Sequence, residues 1–171
     1  MEFADVIAAR RSVRDLSDGP PVTEADVRAL LEAAIAAPTA GNTQPWRFTV
    51  VASASARERL AGALRQSWVA RAPVVIVVGA DYEVAAERYA DRGRDLYAIQ
   101  DTAAAVENIL LAAVDLGLAS CWVGAFDEAA VAEAVEMLPP VRPVAVLPVG
   151  RGAVPDAPRA RRPVEEVSTW L

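Results

Sequence analysis

Residues 100–126 read QDTAAAVENILLAAVDLGLASCWVGAF, and the two halves of this stretch follow different periods. From about Ile99 to Leu116, the apolar residues Val106, Ile109, Leu110, Ala113 and Val114 recur three and four positions apart, which builds one apolar face of a helix. Gly117 stands where a C-cap belongs, because a residue without Cβ takes up the left-handed conformation that ends a helix. Ser120–Phe126 then reads as a short strand.

The flanking sequence continues this alternation. Upstream, Pro73–Gly79 (PVVIVVG) is an almost unbroken β-branched run, suited to a strand buried on both faces. Trp46–Val51 reads as another strand, Ser55–Gln66 as a helix, and Asp81–Tyr97 as a charged, partly helical stretch. Downstream, Asp127 caps a helix predicted through Met137, Pro139-Pro140 ends it, and Val141–Val149 is a further strand. At the N-terminus, Phe3, Val6 and Ile7 share a face of a short helix that stops near Arg10. After the break at Asp18-Gly19-Pro20-Pro21, Thr23 with Asp26 resembles a capping box, followed by Val27, Leu30, Leu31, Ala34 and Ile35 at helical spacing up to Pro38. The order α-α-β-α-β-α-β-α-β predicts an α/β or α+β fold with helices packed on a central sheet.

Composition narrows the chemistry. The 171 residues are 54% hydrophobic and 23% charged, enough for a real core in a single domain spanning 1–171. There is no histidine, which excludes a Ser-His-Asp triad and histidine-liganded zinc. All 17 basic residues are arginine, which excludes a P-loop lysine and a lysine Schiff base. The lone Cys121 can form neither an internal disulfide nor a thiolate metal cluster, so no metal site is expected. A net charge of −6 argues against nucleic acid as a partner. The opening MEFADVIAARR lacks a secretory core, and the longest apolar stretch, Ala72–Ala80, is far short of the roughly 20 residues that span a bilayer. A cytoplasmic protein with no membrane partner is the expectation.

Four segments carry possible binding chemistry. Arg10-Arg11-Ser12-Val13-Arg14 offers guanidinium forks and a hydroxyl to phosphate oxygens, or equally a solvated basic turn whose cations favour a helix C-terminus. Pro38–Pro45 (PTAGNTQP) sets Asn42 and Gln44 beside Trp46, amides able to meet the edge of a planar heterocycle, or it is an ordinary helix-to-strand connection. In Ser120–Phe126, Gly124 and Ala125 are small enough for close backbone approach to a ligand, or they mark a kinked core strand; Cys121 reads as a small buried hydrophobe. Arg159-Ala160-Arg161-Arg162 is a second anion-seeking cluster, or a basic tail. Gly150-Arg151-Gly152 follows a strand as a dinucleotide fingerprint would, but Pro155 at the third glycine position and Pro158 beyond it defeat that reading.

Together RRSVR (10–14), APTAGNTQPWRF (37–48), the 100–126 block, and LPVG (147–150) followed by PRARRPVEEV (158–167) resemble the nitroreductase family of flavoproteins, in family order and over most of the chain. The resemblance implies an α+β sandwich around a mainly antiparallel sheet. It also implies a homodimer with FMN in the interface, and a C-terminal arm (160–171) exchanged onto the partner. By the same resemblance, Arg10, Ser12, Arg159 and Arg161 would hold the FMN phosphate, and Arg11 would approach the ribityl chain. Arg14 would face the N1–O2 edge of the ring, where a cation stabilises developing negative charge. Pro38, Thr39, Ala40 and Asn42 would come from the partner chain and line the ring and ribityl, with Gln44 as a neighbour. The N–H groups of Gly124 and Ala125 would meet N5 and O4, Trp122 and Val123 would pack on the ring, and Gln66 would reach its pyrimidine edge.

The implied activity is hydride transfer from NADH or NADPH through FMN to a small-molecule electron acceptor, a nitroaromatic or a quinone, by a ping-pong route in which no side chain is itself catalytic. Other readings are a related chemistry (flavin destruction or reductive dehalogenation), a non-catalytic flavin-binding protein, and a domain with no cofactor. The short Asp81–Tyr97 region, where larger relatives carry extra helices, suggests an open site and disfavours the dehalogenase.

Overall fold

The computed structural model describes residues 1–154 and 160–171. Its helices are α1 (Phe3–Ala9), α2 (Glu24–Ile35), α3 (Ala54–Leu64), α4 (Tyr82–Arg92), α5 (Ala98–Asp115) and α6 (Glu128–Ala134). Its strands are β1 (Trp46–Val51), β2 (Val74–Asp81), β3 (Ala119–Ser120) and β4 (Val141–Gly150), ordered β1-β2-β4-β3 with every pair antiparallel. The result is the α+β sandwich expected from the sequence.

The sheet is the middle layer, and the two-residue period of its strands assigns the faces. Val74, Ile76 and Val78 of β2, with Ala145, Leu147 and Val149 of β4, pack against Leu30 and Ala34 of α2 and Val106, Ile109, Leu110 and Ala113 of α5. The alternate residues Val75, Val77 and Val146 pack against Leu60 and Leu64 of α3 and Val131 of α6. Every residue of β2 is buried, which accounts for its continuous apolar run. Burying each such side chain contributes about 1.5–3 kcal/mol.

Helix ends follow local chemistry. Asp26 donates its N–H to Thr23 Oγ1 at 3.1 Å, and Thr23 donates its N–H to Asp26 Oδ2 at 2.9 Å, closing the capping box of α2. Gly117 takes φ +66° after α5, and Leu118 N–H returns to Ala113 O at 2.7 Å. Asn108, polar within an apolar helix, donates to Ala33 O at 2.9 Å and ties α5 to α2.

Four sequence expectations change. The helix predicted through Met137 stops at Ala134; Glu136 turns left-handed (φ 56°), and Met137 folds back to Ala132 O and enters the core. The strand predicted over Ser120–Phe126 shrinks to Ala119–Ser120 plus a single bridge between Val123 and Val146. Asp81–Tyr97 is helical almost throughout: α4, capped by Asp81 on Val84 N–H, passes through a π-helical turn (Gly93–Tyr97) straight into α5. In α1 only Val6 is buried, and Phe3 and Ile7 stay exposed.

The segment after α1 runs along the sheet margin, Ser12 bridging Ser120 and Ser17 bridging Arg151. Gly150 and Gly152 make this contact possible. A Cβ on Gly150 would collide with Leu16 O, and one on Gly152 with Asp15 O. Close backbone packing therefore explains the Gly-Arg-Gly sequence. Beyond residue 160 the chain holds one short turn, Val164–Glu166, and Val164, Val167, Trp170 and Leu171 are exposed.

Candidate functional site

The first group of site residues hangs on β3. Val13 donates its N–H to Ser120 O at 2.9 Å and buries its side chain in the core, so alternation turns Ser12 and Arg14 outward, where both are exposed. Arg10, at the end of α1, is half-buried with its Nε 3.9 Å from Glu107. Beneath them lies Cys121. Burial pushes its thiol above the ordinary range, and Arg14 and the Ser12 hydroxyl pull it partly back.

Arg11 points elsewhere. Its guanidinium donates to Ala8 O at 2.7 Å and Arg10 O at 2.9 Å, satisfying carbonyls at the end of α1. It lines a separate cavity of about 390 Å³ with Val13, Val114 and Ser120. For this one arginine the helix-terminus reading of the cluster describes the geometry.

The second group follows Cys121. Val123 exchanges both backbone bonds with Val146 (2.9 and 3.0 Å) and buries its side chain beside Val13, so it faces the core and not an outside ligand. With Val123 pinned, Trp122 is 40% exposed, and Gly124 and Ala125 lie at the surface. Among the described residues neither Gly124 nor Ala125 gives its N–H to another group. Two free donors thus sit a few residues from Ser12 and Arg14 along one edge.

The third group is the Pro38–Pro45 loop, a 3-10 turn at Ala40–Asn42 with three left-handed residues: Gly41 (φ 56°), Asn42 (58°) and Gln44 (51°). Gln44 donates its N–H to Thr39 Oγ1 (3.2 Å) and its amide to Asn42 O (3.3 Å), and Arg88 of α4 donates to Gly41 O (3.2 Å). Ala40 N–H is taken by Asp101 Oδ1 at 3.0 Å. Pro38 and Asn42 are exposed.

Asp101 was not among the residues the sequence pointed to, although a signal was present. It stands in the first turn of α5 on the face that carries Ala98, Thr102 and Ala105 into the core, a place where an acid needs a partner. It is 6% exposed, and burial raises its carboxyl above the ordinary range despite the Ala40 N–H and the Thr43 hydroxyl.

Two further expected contributors, Gln66 and Arg161, make contacts close by in the chain. Gln66 accepts the Trp68 indole N–H at 3.0 Å on Oε1. Arg161 is exposed and donates to Ala160 O at 3.1 Å. Arg159 lies outside the described residues. Nor does one chain bring the loop and the arginine segment together: among the described residues no hydrogen bond or ion pair joins them. Both anchor on α5, the loop at Asp101 and Arg10 at Glu107, six residues on and so roughly 240° around the helix. Among the described residues no group of three or more metal-ligating side chains occurs, and no helix is long and apolar enough to cross a membrane.

An antiparallel sheet between two helical layers, with outward donors along one edge and a strained amide-bearing loop held separately, makes an α+β sandwich with a candidate ligand-binding edge. The chain belongs to the nitroreductase family, whose model matches residues 7–68 and 61–151. A protein of Archaeoglobus fulgidus provisionally named an NADH dehydrogenase/NAD(P)H nitroreductase is 38% identical over 126 residues, which is 73% of this chain and 68% of that one. The crystal structure of a nitroreductase family protein from Streptococcus pneumoniae superposes with a TM-score of 0.89 at 26% identity, covering 99% of this chain and 100% of that one. A structure from Exiguobacterium sibiricum, solved in complex with FMN, shares the fold with a TM-score of 0.86 at 23% identity, over 100% and 98% of the two chains.

Proposed function

We propose that the protein is an FMN-dependent NAD(P)H oxidoreductase acting as a homodimer. The observation that carries this reading is the edge on which Ser12 and Arg14 face outward a few residues from the free N–H groups of Gly124 and Ala125. That donor set fits FMN: a hydroxyl and guanidinium groups for its phosphate and the electron-rich edge of its ring, and a pair of amides for its acceptor atoms. Bound FMN would supply the hydride chemistry. The relative named as an NADH dehydrogenase/NAD(P)H nitroreductase agrees with nicotinamide donors.

Under this reading each residue has a physical task. Arg10 and Ser12, with Arg161 and Arg159 from the tail, hold the phosphate. Arg14 places positive charge where electrons accumulate. Trp122 covers apolar surface, and the amides of Gly124 and Ala125 orient the ring. Arg11 and Val123 contribute indirectly, Arg11 by finishing α1 and Val123 by pinning the strand that presents the amides.

Two features support the homodimer. The loop that would complete the pocket is held on a different face of α5 from Arg10, so a second copy is needed to bring both halves together. Apolar surface on α1 (Phe3, Ile7) and on the arm (Trp170, 91% exposed) also waits for cover. Under this reading residues 160–171 are an arm exchanged between protomers, closing a single FMN-binding domain.

The test is an absorption spectrum of the purified protein from about 300 to 550 nm, before and after anaerobic NADH or NADPH and then a quinone or nitroaromatic. Flavin bands that bleach with the nucleotide and return with the acceptor are expected. Bands that do not bleach would make it a flavin-binding protein without turnover, and a colourless protein that takes up no FMN would overturn the reading.

A further inference from the structure

The Pro38–Pro45 loop combines features that disfavour its conformation. Asn42 and Gln44 are L-residues at positive φ, and with Gly41 they put three left-handed positions into four. Such strain persists only where the surroundings over-determine it. The internal bonds Gln44 N–H to Thr39 Oγ1 and Gln44 amide to Asn42 O close the loop on itself but do not fix it to the fold. Arg88 reaches Gly41 O from an exposed position and is a weak tether. Asp81 N–H holds Pro45 O at 2.7 Å where the loop enters β1, and the buried fastening of the left-handed turn itself is Asp101, whose Oδ1 takes the Ala40 N–H where the turn begins.

Asp101 is an unfavourable residue for the fold. The residue is more than nine-tenths buried, and neither its Oδ2 nor the buried Thr43 Oγ1 has a hydrogen-bond partner. One oxygen of Asp101 holds Ala40, and the Thr43 hydroxyl at the other shoulder of the turn is close enough to favour the carboxylate without completing a hydrogen bond to it. A small apolar residue at position 101 would suit the neighbouring Ala98 and Ala105 better. What an apolar side chain could not do is hold Ala40 N–H from the rigid first turn of an 18-residue helix.

We infer that Asp101 is a positioning residue: its carboxylate, gripping Ala40 and flanked by Thr43, locks the strained loop in the shape that presents Asn42 and its neighbours to the flavin bound mainly by the other protomer. The inference rests on the proposed FMN site, and it makes each protomer's α5 a determinant of its partner's cofactor affinity. Asp101 touches neither cofactor nor substrate and acts only through the loop.

The experiment has two readouts on the intact protein. Amide hydrogen exchange followed by NMR reports the latch without cofactor: in the wild type Ala40 N–H exchanges slowly and Gly41 N–H fast, and Asp101→Ala removes the protection of Ala40. FMN titration reports the consequence: Asp101→Ala raises Kd about tenfold or more, the loss of one charge-assisted hydrogen bond. Asp101→Asn, which keeps an acceptor oxygen for Ala40, restores most of the affinity. A purely structural role would lower Tm in both variants without this split. If Asp101→Ala does not fold, Thr43→Val tests the same grip, with an expected weakening of about threefold at unchanged Tm. A wild type that takes up no FMN defeats the flavin reading and leaves the exchange data to judge the latch. Normal FMN uptake with Kd and Ala40 exchange unchanged in Asp101→Ala, or with Kd unchanged in Thr43→Val, overturns the inference itself.

Discussion

Arg151 Nη1 donates to Gly117 O at 2.9 Å, which ties the end of β4 to the C-terminus of α5. The same guanidinium donates to Pro20 O at 3.2 Å through Nε and lies 3.9 Å from Asp26, at the start of α2. One half-buried side chain thus joins a strand end, a helix end and a helix start. Charge-assisted bonds to carbonyls are stronger than exposed ion pairs. Arg151→Ala is expected to destabilise the protein by about 1.5–3 kcal/mol. Urea unfolding checks this, and a change indistinguishable from that of Arg28→Ala, whose ion pair with Glu32 is exposed, would count against it.

Gly152 lies so close to Asp15 O that an added methyl has no room, and the obstacle is backbone. Gly152→Ala should push the Asp15–Ser17 stretch off the sheet margin, which on the proposed reading also misplaces Arg14 and Ser12. The expected signature is a lower Tm together with weakened FMN binding. Gly62→Ala, at an open helical site, should be neutral or slightly stabilising.

The buried carboxyl of Asp101 gives a signed pH effect. Burial raises its folded value above the unfolded one, so the folded state holds the proton more tightly. As pH climbs from the ordinary carboxylate range through the raised value, the wild type loses stability relative to Asp101→Asn, and above that value the gap stays level. Asp26 works in the opposite sense. The Thr23 N–H and hydroxyl lower its value, and the stability it adds is lost as pH falls. Because Asp26 is common to both proteins, it cancels in the difference. Thermal unfolding of the pair at pH 3.5 to 7.5, about the range of the effect, should show the gap shrinking toward the acid end. A gap that widens there would refute the assignment.

Cys121 should be inert in the native protein. Its thiol is buried and its pKa raised, so little thiolate forms near neutrality. Ellman's reagent should react slowly in buffer and at once in denaturant. Arg14→Ala should slow the native reaction further, because it removes the cation that favours the thiolate.

Much of this molecule is legible in its residues. The period of Val106–Val114 sets α5, the run at 73–79 sets the central strand, and Thr23 with Asp26 starts α2, because these signals depend on neighbours within a few positions. The candidate segments, RRSVR, the Asn-bearing loop and the Trp-Val-Gly-Ala stretch, stood out in the sequence together with the family they resemble. The sequence could not say which side chain of each segment faces outward. Pairing across the sheet decided that, since Val13 on Ser120 and Val123 on Val146 turn Ser12, Arg14 and Trp122 to the surface and send Val123 inward. Contacts between residues far apart in the chain decided the rest. Arg11 turned back onto α1, glycines 150 and 152 proved to be packing positions, and Asp101 met Ala40 across 61 positions. Local sequence fixes backbone period and helix ends, whereas the direction of a side chain and the partner of a buried charge exist only once distant segments have packed.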